Sequence, residues 1–148
     1  MKKIYTAQSL LLLIGTLFAW FTVYTDFSRF YNLYGDITRI RGCVIPNPVT
    51  TPCFYGAFAF LGGLIWSLYI LKTSKQKKVA NQKKLHILLI ASTIFAWSNL
   101  SLEIYTSPQI SCSGVPSTSI FTTPCFIGSM LFLGSLIISS VIKKKSKS

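Results

Sequence analysis

The sequence predicts an all-α integral membrane protein with four transmembrane helices. One observation is the composition: 51% of the 148 residues are hydrophobic and 12% are charged, which is about half the charge of an average soluble domain. A second observation is that the apolar residues form four uncharged blocks, at about residues 4–24, 52–71, 85–102 and 124–142. Each block approaches the ~20 residues that a helix needs to cross the hydrocarbon core.

The charge distribution is the third observation, and it predicts the orientation. The lysines lie at residues 2–3, 72–84 and 143–147, whereas the arginines and acids lie in the two alternate connections, where their charges cancel. The positive-inside rule therefore places both termini and the segment 72–84 in the cytoplasm. This arrangement favours a multi-pass protein of the cell membrane, with the lipid bilayer as partner. Lys-only cytoplasmic charge and short loops favour a bacterial source.

The formal net charge of +12 also raises the question of nucleic-acid binding. The basic residues stand at the ends of apolar blocks instead of forming one basic face, so membrane topology explains them. We expect no nucleic-acid partner.

The two halves of the chain share several short motifs. The motif Thr-Thr-Pro-Cys-Phe occurs once in each half. Two further motifs, Phe-Leu-Gly-x-Leu-Ile and Phe-Ala-Trp, also occur at corresponding positions of the two halves. The matching ranges are 50–54 with 122–126, 60–65 with 132–137, and 18–20 with 95–97. The pattern predicts a tandem duplication of a two-helix hairpin. Both hairpins enter the membrane from the same side, so we expect parallel repeats related by a pseudo-two-fold axis along the membrane normal.

The repeat predicts the domain organisation. The first hairpin covers residues 1–74 with an outer loop at 25–51, and the second covers 85–148 with an outer loop at 103–123. The Lys-rich segment 75–84 is predicted to be a cytoplasmic linker.

Aromatic residues recur at helical spacing within the first outer loop. Residues 26–35 therefore predict a short amphipathic helix on the outer membrane surface, with Asp26 capping its start and Gly35 its end. The alternatives are that these aromatic side chains cover the outer mouth of the bundle or form a docking surface for a partner.

The repeated Thr-Pro-Cys motif is typical of a helix start. We expect Thr51 and Thr123 to act as N-caps that accept a hydrogen bond from a backbone N–H. Pro52 and Pro124 then occupy the first helical position, where a missing N–H costs nothing.

Small side chains recur every fourth residue on the second and fourth helices. They predict that these helices meet each other, or pack on the first and third helices, through close backbone contacts. The residues concerned are Ala59, Gly63, Ser67, Gly128, Ser135 and Ser139.

All four cysteines, Cys43, Cys53, Cys112 and Cys125, fall on the predicted outer side, two in each half. An even number in an oxidising compartment is typical of disulfides. We expect the pairs Cys43–Cys53 and Cys112–Cys125, because these preserve one bridge per hairpin; the other connectivities stay open. The spacing lacks the paired C-x2–4-C pattern of zinc sites, so no metal site is predicted.

A redox role is the alternative for these cysteines. A helix N-terminus favours the thiolate, and Cys53 and Cys125 each stand just after a helix-opening proline. The layout is similar to that of the quinone-coupled disulfide-forming membrane proteins, which are four-helix proteins with cysteine pairs outside the membrane. The likeness is confined to layout, since that family carries a C-x-x-C and this chain does not. It implies quinone as cofactor and all four cysteines as redox residues.

Three ionisable residues lie near the ends of the apolar blocks. Asp26 and Glu103 follow the first and third blocks at equivalent positions. One interpretation is that they cap helices and form ion pairs in the loops. The other is that the two carboxylates together form a site for a proton or a cation. His86, the single histidine, lies at the cytoplasmic end of the third block, where we expect it to reach toward the interface.

The function expected from sequence is non-enzymatic: a small structural or accessory membrane protein with disulfide-stapled outer loops, no catalytic residue and no cofactor. The alternative is a quinone-coupled thiol–disulfide oxidoreductase. A second alternative, a small transporter subunit, is suggested by the internal repeat. The organisation leaves room for a membrane-protein partner or a homo-oligomer.

Overall fold

The computed structural model describes residues 2–36, 47–106 and 120–145. These residues form α1 (Lys2–Tyr34), α2 (Pro52–Lys72), α3 (Lys75–Thr106) and α4 (Pro124–Lys145). Short 3₁₀ turns, Pro48–Thr50 and Ile120–Thr122, lead into α2 and α4. Cys43 and Cys112 lie outside the described residues.

The four helices are each long and apolar enough to cross a membrane. Large apolar side chains also cover the outside of the bundle, including Leu17, Phe21 and Ile94. An apolar exterior is what hydrocarbon surroundings permit, because helices satisfy their backbone polar groups internally. The prediction of an all-helical chain with four membrane-spanning-length helices is confirmed, and the chain is consistent with a multi-pass membrane protein.

Helices α2 and α4 lie diagonally across the bundle from each other. Each of them packs along both α1 and α3, and the two meet in a smaller contact across the centre. The small-residue positions on α2 and α4 are turned inward: four are buried and Ala59 and Gly128 are half-buried. The buried ones are Gly63, Ser67, Ser135 and Ser139.

Helix α1 runs without a break to Tyr34. The separate surface helix expected at residues 26–35 is therefore absent from the described structure, because no glycine or proline interrupts the chain between Gly15 and Gly35. Gly35 does end the helix: its φ is +68°, and its N–H donates to the Tyr31 carbonyl at 2.8 Å. Asp26 is not a cap but an interior, buried residue of α1.

The Lys-rich segment expected as a linker is helical. Helix α3 begins at Lys75, so the turn between α2 and α3 consists of Thr73 and Ser74. This extension carries Gln82 and His86 into the bundle, where both are buried. The expectation that His86 reaches toward the interface is wrong, because the ring lies in the interior against the Ser139 hydroxyl.

The centre of the bundle is a small aliphatic and aromatic core. Phe60 of α2 and Phe132 of α4 stack with ring centroids 3.7 Å apart and planes 13° from parallel. Gly15 of α1 lies beside Phe60, so close that a Cβ at position 15 would come within 2.6 Å of the Phe60 Cδ1. The remaining buried members are Leu12, Leu64, Ile70, Leu85 and Leu89.

Candidate functional site

Cys53 and Cys125 approach each other across the bundle. Their Sγ atoms lie 3.6 Å apart, although the residues are 72 positions apart in sequence. An S–S bond is about 2.05 Å long, so these two sulfurs are in contact without being bonded to each other. The sequence predicted bridges within each hairpin and did not anticipate this contact between hairpins.

The predicted pairs Cys43–Cys53 and Cys112–Cys125 each include a residue outside the described part of the chain. Both pairings therefore stay predictions. Within the described residues, no group of three or more His, Cys, Asp and Glu side chains is arranged to hold a metal ion.

Each cysteine is the second residue of its helix, and the local sequence fixes it there. Pro52 and Pro124 open α2 and α4. The Thr123 hydroxyl oxygen accepts from the Phe126 N–H at 3.3 Å, as an N-cap does. Thr51 departs from this expectation, because its hydroxyl donates to the Pro48 carbonyl at 2.7 Å and caps no α2 N–H. Both sulfurs consequently stand in rigid first helical turns.

A cavity of about 50 Å³ lies beside the cysteine pair. All four helices contribute to its wall, which is mostly apolar. A single water needs about 10–15 Å³ of such space, so the cavity is larger than a water site. Its lining residues are Phe18, Ala19, Thr22, Pro52, Cys53, Gly56, Phe60, Phe95, Ala96, Asn99, Pro124, Cys125, Gly128, Ser129 and Phe132.

The cavity wall consists largely of residues that the two halves of the chain have in common. The identical partners are Phe18 with Phe95, Ala19 with Ala96, Pro52 with Pro124, Cys53 with Cys125, Gly56 with Gly128, and Phe60 with Phe132. Thr22 and Asn99 also occupy matching positions. The repeated motifs thus have one shared location in the fold, which is the wall of this cavity.

Gly56 and Gly128 shape the cavity on opposite sides. A Cβ added at either position would meet nothing within 4 Å. The space beside them is therefore open rather than filled by a packed neighbour.

The few polar groups of the wall bond to their own helices. The Thr22 hydroxyl donates to the Phe18 carbonyl at 3.0 Å, the Asn99 amide to the Phe95 carbonyl at 2.8 Å, and the Ser129 hydroxyl to the Cys125 carbonyl at 2.6 Å. The wall therefore offers mostly apolar contact and few polar contacts.

Asp26 is the buried carboxylate nearest to this site along α1. It is 5% exposed, and the guanidinium of Arg29 lies 3.9 Å from its Oδ1. Within the described residues, neither carboxylate oxygen accepts a hydrogen bond. The paired-carboxylate alternative also requires Glu103, whose side chain lies outside the described part of the structure.

A second polar cluster lies toward the predicted cytoplasmic end. The Gln82 Nε2 donates to the Gln8 Oε1 at 3.1 Å and to the Ser139 hydroxyl oxygen at 3.0 Å. The His86 Nδ1 lies 3.1 Å from the same Ser139 Oγ. The hydroxyls of Ser9 and Ser67 are 2.6 Å apart. All four helices are thereby joined by buried hydrogen bonds.

Sequence reasoning missed most of this cluster. Ser67 and Ser139 were expected as packing residues, but the glutamines stood in segments expected to be polar surface or an ordinary apolar span. A signal was present, since Gln8 interrupts an apolar block, and polar groups within membrane helices usually face the bundle interior.

No family model, curated protein or solved structure matches this chain. The chemistry of the cysteine pair and its cavity is therefore the basis for assigning a function.

Proposed function

We propose that the protein is a membrane thiol–disulfide oxidoreductase whose redox centre is the pair Cys53 and Cys125. The single observation that carries this proposal is the 3.6 Å approach of the two sulfurs on the wall of an apolar cavity. Structural staples alone would not require an open cavity beside the sulfurs. In the fully reduced protein, where both residues are thiols, oxidation of the pair breaks two S–H bonds, forms one S–S bond, and releases two electrons and two protons.

The proposed acceptor is a quinone, which takes up two electrons and two protons to become a quinol. The balance therefore closes without another reactant. The apolar, aromatic lining of the cavity matches the chemistry of a quinone ring, and its place among membrane-spanning-length helices gives access to a lipid-soluble cofactor. Because a cavity of roughly 150 Å³ is what holds a benzene ring, the cavity of about 50 Å³ has to widen for the quinone ring to enter. Helix N-termini beside both sulfurs favour the reactive thiolate.

The outer cysteines complete the proposed path. Once Cys53 and Cys125 are bridged, a Cys112 thiolate can attack the Cys125 sulfur, forming the Cys112–Cys125 bridge and releasing the Cys53 thiolate. Cys43 can act on Cys53 in the same way. The bridges expected within the hairpins thus become steps of thiol–disulfide exchange, and thiol-bearing proteins outside the membrane are the expected substrates.

The proposal includes the orientation and the repeat. Both termini lie in the cytoplasm and the cysteines outside, in a bacterial cell membrane, as the lysine distribution supports. Two parallel hairpins are related by a two-fold axis. This relation is supported by the contacts Cys53–Cys125 and Phe60–Phe132, because equivalent residues of two copies meet where the copies adjoin a common axis.

The structural or accessory role expected from sequence is the second candidate. The buried hydrogen bonds that Ser139 makes with Gln82 and His86 favour it, because they tie helices together without taking part in redox chemistry. In this role the hairpin disulfides are permanent staples of the outer loops.

One experiment separates the two candidates. The reduced protein, in nanodiscs, is mixed with decylubiquinone or menadione under anaerobic conditions, and quinol formation is followed together with thiol alkylation by mass spectrometry. We expect one quinol per Cys53–Cys125 bridge formed in the wild type, and none in the variants Cys53→Ser and Cys125→Ser. Bridges within each hairpin that resist reduction to below roughly −300 mV, with no quinol formed, would establish the structural role instead.

A further inference from the structure

Asp26 is a buried carboxylate to which the described residues donate none of the hydrogen bonds that such a group needs. Burying a carboxylate is costly unless it is paired and hydrogen-bonded. Its oxygens accept no hydrogen bond from the described residues, and the Arg29 side chain at 3.9 Å is half exposed, which makes the pair weak. The position is therefore poorly explained by stability.

The turn of α1 that holds Asp26 lies next to the turn of α2 that holds Cys53. Asp26 stands four residues beyond Thr22, on the same buried face of α1, and Thr22 lines the cavity together with Cys53. The next residue, Phe27, packs edge-to-face on Phe54, the residue after Cys53, with ring centroids 6.2 Å apart. Because one helical turn rises about 5.4 Å, Asp26 lies about one turn along α1 from the Thr22 position in the cavity wall.

We propose that Asp26 is the proton acceptor of the cysteine pair, an inference that rests on the oxidoreductase function proposed above. The S–H bond of Cys53 breaks, an O–H bond forms on the Asp26 carboxylate, and the electron pair stays on sulfur as the thiolate. When the S–S bond forms, the quinone takes the two electrons, the Asp26 carboxylic acid passes its proton to one reduced quinone oxygen, and the proton of the broken Cys125 S–H bond goes to the other.

The test uses Asp26→Asn, which keeps the size of the side chain and removes its basicity. Asp36→Asn is the matched control, because Asp36 is an exposed acid just beyond the end of α1. Anaerobic decylubiquinone reduction by each protein in nanodiscs is measured across pH. We expect Asp26→Asn to slow the reaction on the order of 10- to 100-fold at about pH 7. The rates should converge with wild type at about pH 9, where an ordinary thiol ionises without a base.

Arg29→Gln provides a second variant that leaves the buried carboxylate in place. Arg29 is the charged group found near Asp26 among the described residues. Its removal leaves the carboxylate a stronger base, so the low-pH limb of the rate profile should move to higher pH. A purely structural role for Asp26 would not produce this shift.

The outcomes separate the two proposals. If wild type reduces the quinone but Asp26→Asn has an unchanged rate, or a rate reduced equally at all pH values, Asp26 is not the proton acceptor and the oxidoreductase function stands. If wild type forms no quinol, the proposed function fails and the role of Asp26 fails with it.

Discussion

Phe60 and Phe132 stack face to face across the centre of the bundle, with their ring centroids 3.7 Å apart. They occupy the same place in the two halves of the chain, as do Cys53 and Cys125, whose sulfurs lie 3.6 Å apart. Both contacts join α2 to α4, and both residue pairs line the same cavity. The ring stack and the cysteine pair therefore border the same cavity, about two helical turns apart along α2 and α4.

Removal of one ring of the stack should destabilise the bundle. Phe60→Ala or Phe132→Ala deletes a buried aromatic side chain from the core, at an expected cost of about 3–5 kcal/mol in the free energy of unfolding. Unfolding by SDS titration, followed by circular dichroism, measures the difference. Phe21→Ala is the control, since this ring is 66% exposed and should cost far less. Equal losses for the buried and exposed rings would contradict the stack's structural importance.

The close approach of α1 to Phe60 depends on glycine. A Gly15→Ala side chain would come within 2.6 Å of the Phe60 ring, so either the ring or α1 has to shift. We expect a loss of about 1–3 kcal/mol in the same unfolding titration. Gly62→Ala is the matched control, because its Cβ meets nothing within 4 Å. There, alanine should be neutral or stabilising by up to about 1 kcal/mol through helix propensity.

The cavity can be filled without disturbing its walls. Gly56→Val projects a side chain into space that holds no atom within 4 Å of the added Cβ, so the protein should fold with little change in stability. Quinone reduction should fall, because the ring loses its space beside Cys53. Gly62→Val serves as the control, since Gly62 is equally open and does not line the cavity. A filled cavity with wild-type quinone reduction would place the acceptor elsewhere.

The nearness of Cys53 and Cys125 can be tested without any assumption about activity. In the double variant Cys43→Ser, Cys112→Ser, mild oxidation with copper phenanthroline should give an intramolecular Cys53–Cys125 bridge, because a 3.6 Å separation closes to bonding distance with a small movement. Peptide mapping by mass spectrometry identifies the bridge. Its absence under conditions that oxidise exposed thiols would show that the two helix starts lie further apart in the membrane.

The hydroxyl of Ser139 joins α4 to α3. Ser139→Ala removes the partner that it provides to Gln82 and His86 and should cost about 1–3 kcal/mol, since buried polar groups are left unsatisfied. Ser140→Ala is the neighbouring control, because that exposed hydroxyl bonds only its own helix, at the Leu136 carbonyl. SDS unfolding of both variants measures the difference, and similar values would show that the network contributes little.

The sequence by itself determined the number of helices, the starts of α2 and α4, and the glycine that ends α1. Four apolar blocks correspond to four helices. Pro52 and Pro124 begin the second and fourth helices, because proline fits the first turn of a helix but interrupts the hydrogen bonds of a helix interior. Gly35 ends the first helix in the left-handed conformation that glycine readily adopts. These features depend on local backbone chemistry, so they can be predicted from each segment of the sequence by itself.

The partners of the side chains were decided by tertiary structure. The duplication favoured bridges within each hairpin, and these stay predictions. The contact between the Cys53 and Cys125 sulfurs joins the two hairpins, and nothing in the sequence pointed to it. His86 and Asp26 stood near block ends and were expected at the interface, yet α1 and α3 continue past those ends and turn both residues inward. Contacts between segments depend on how helices rotate and pack against one another. A motif such as Thr-Thr-Pro-Cys-Phe determines where a helix begins. The packing of the four helices determines which side chains the first turn of that helix contacts.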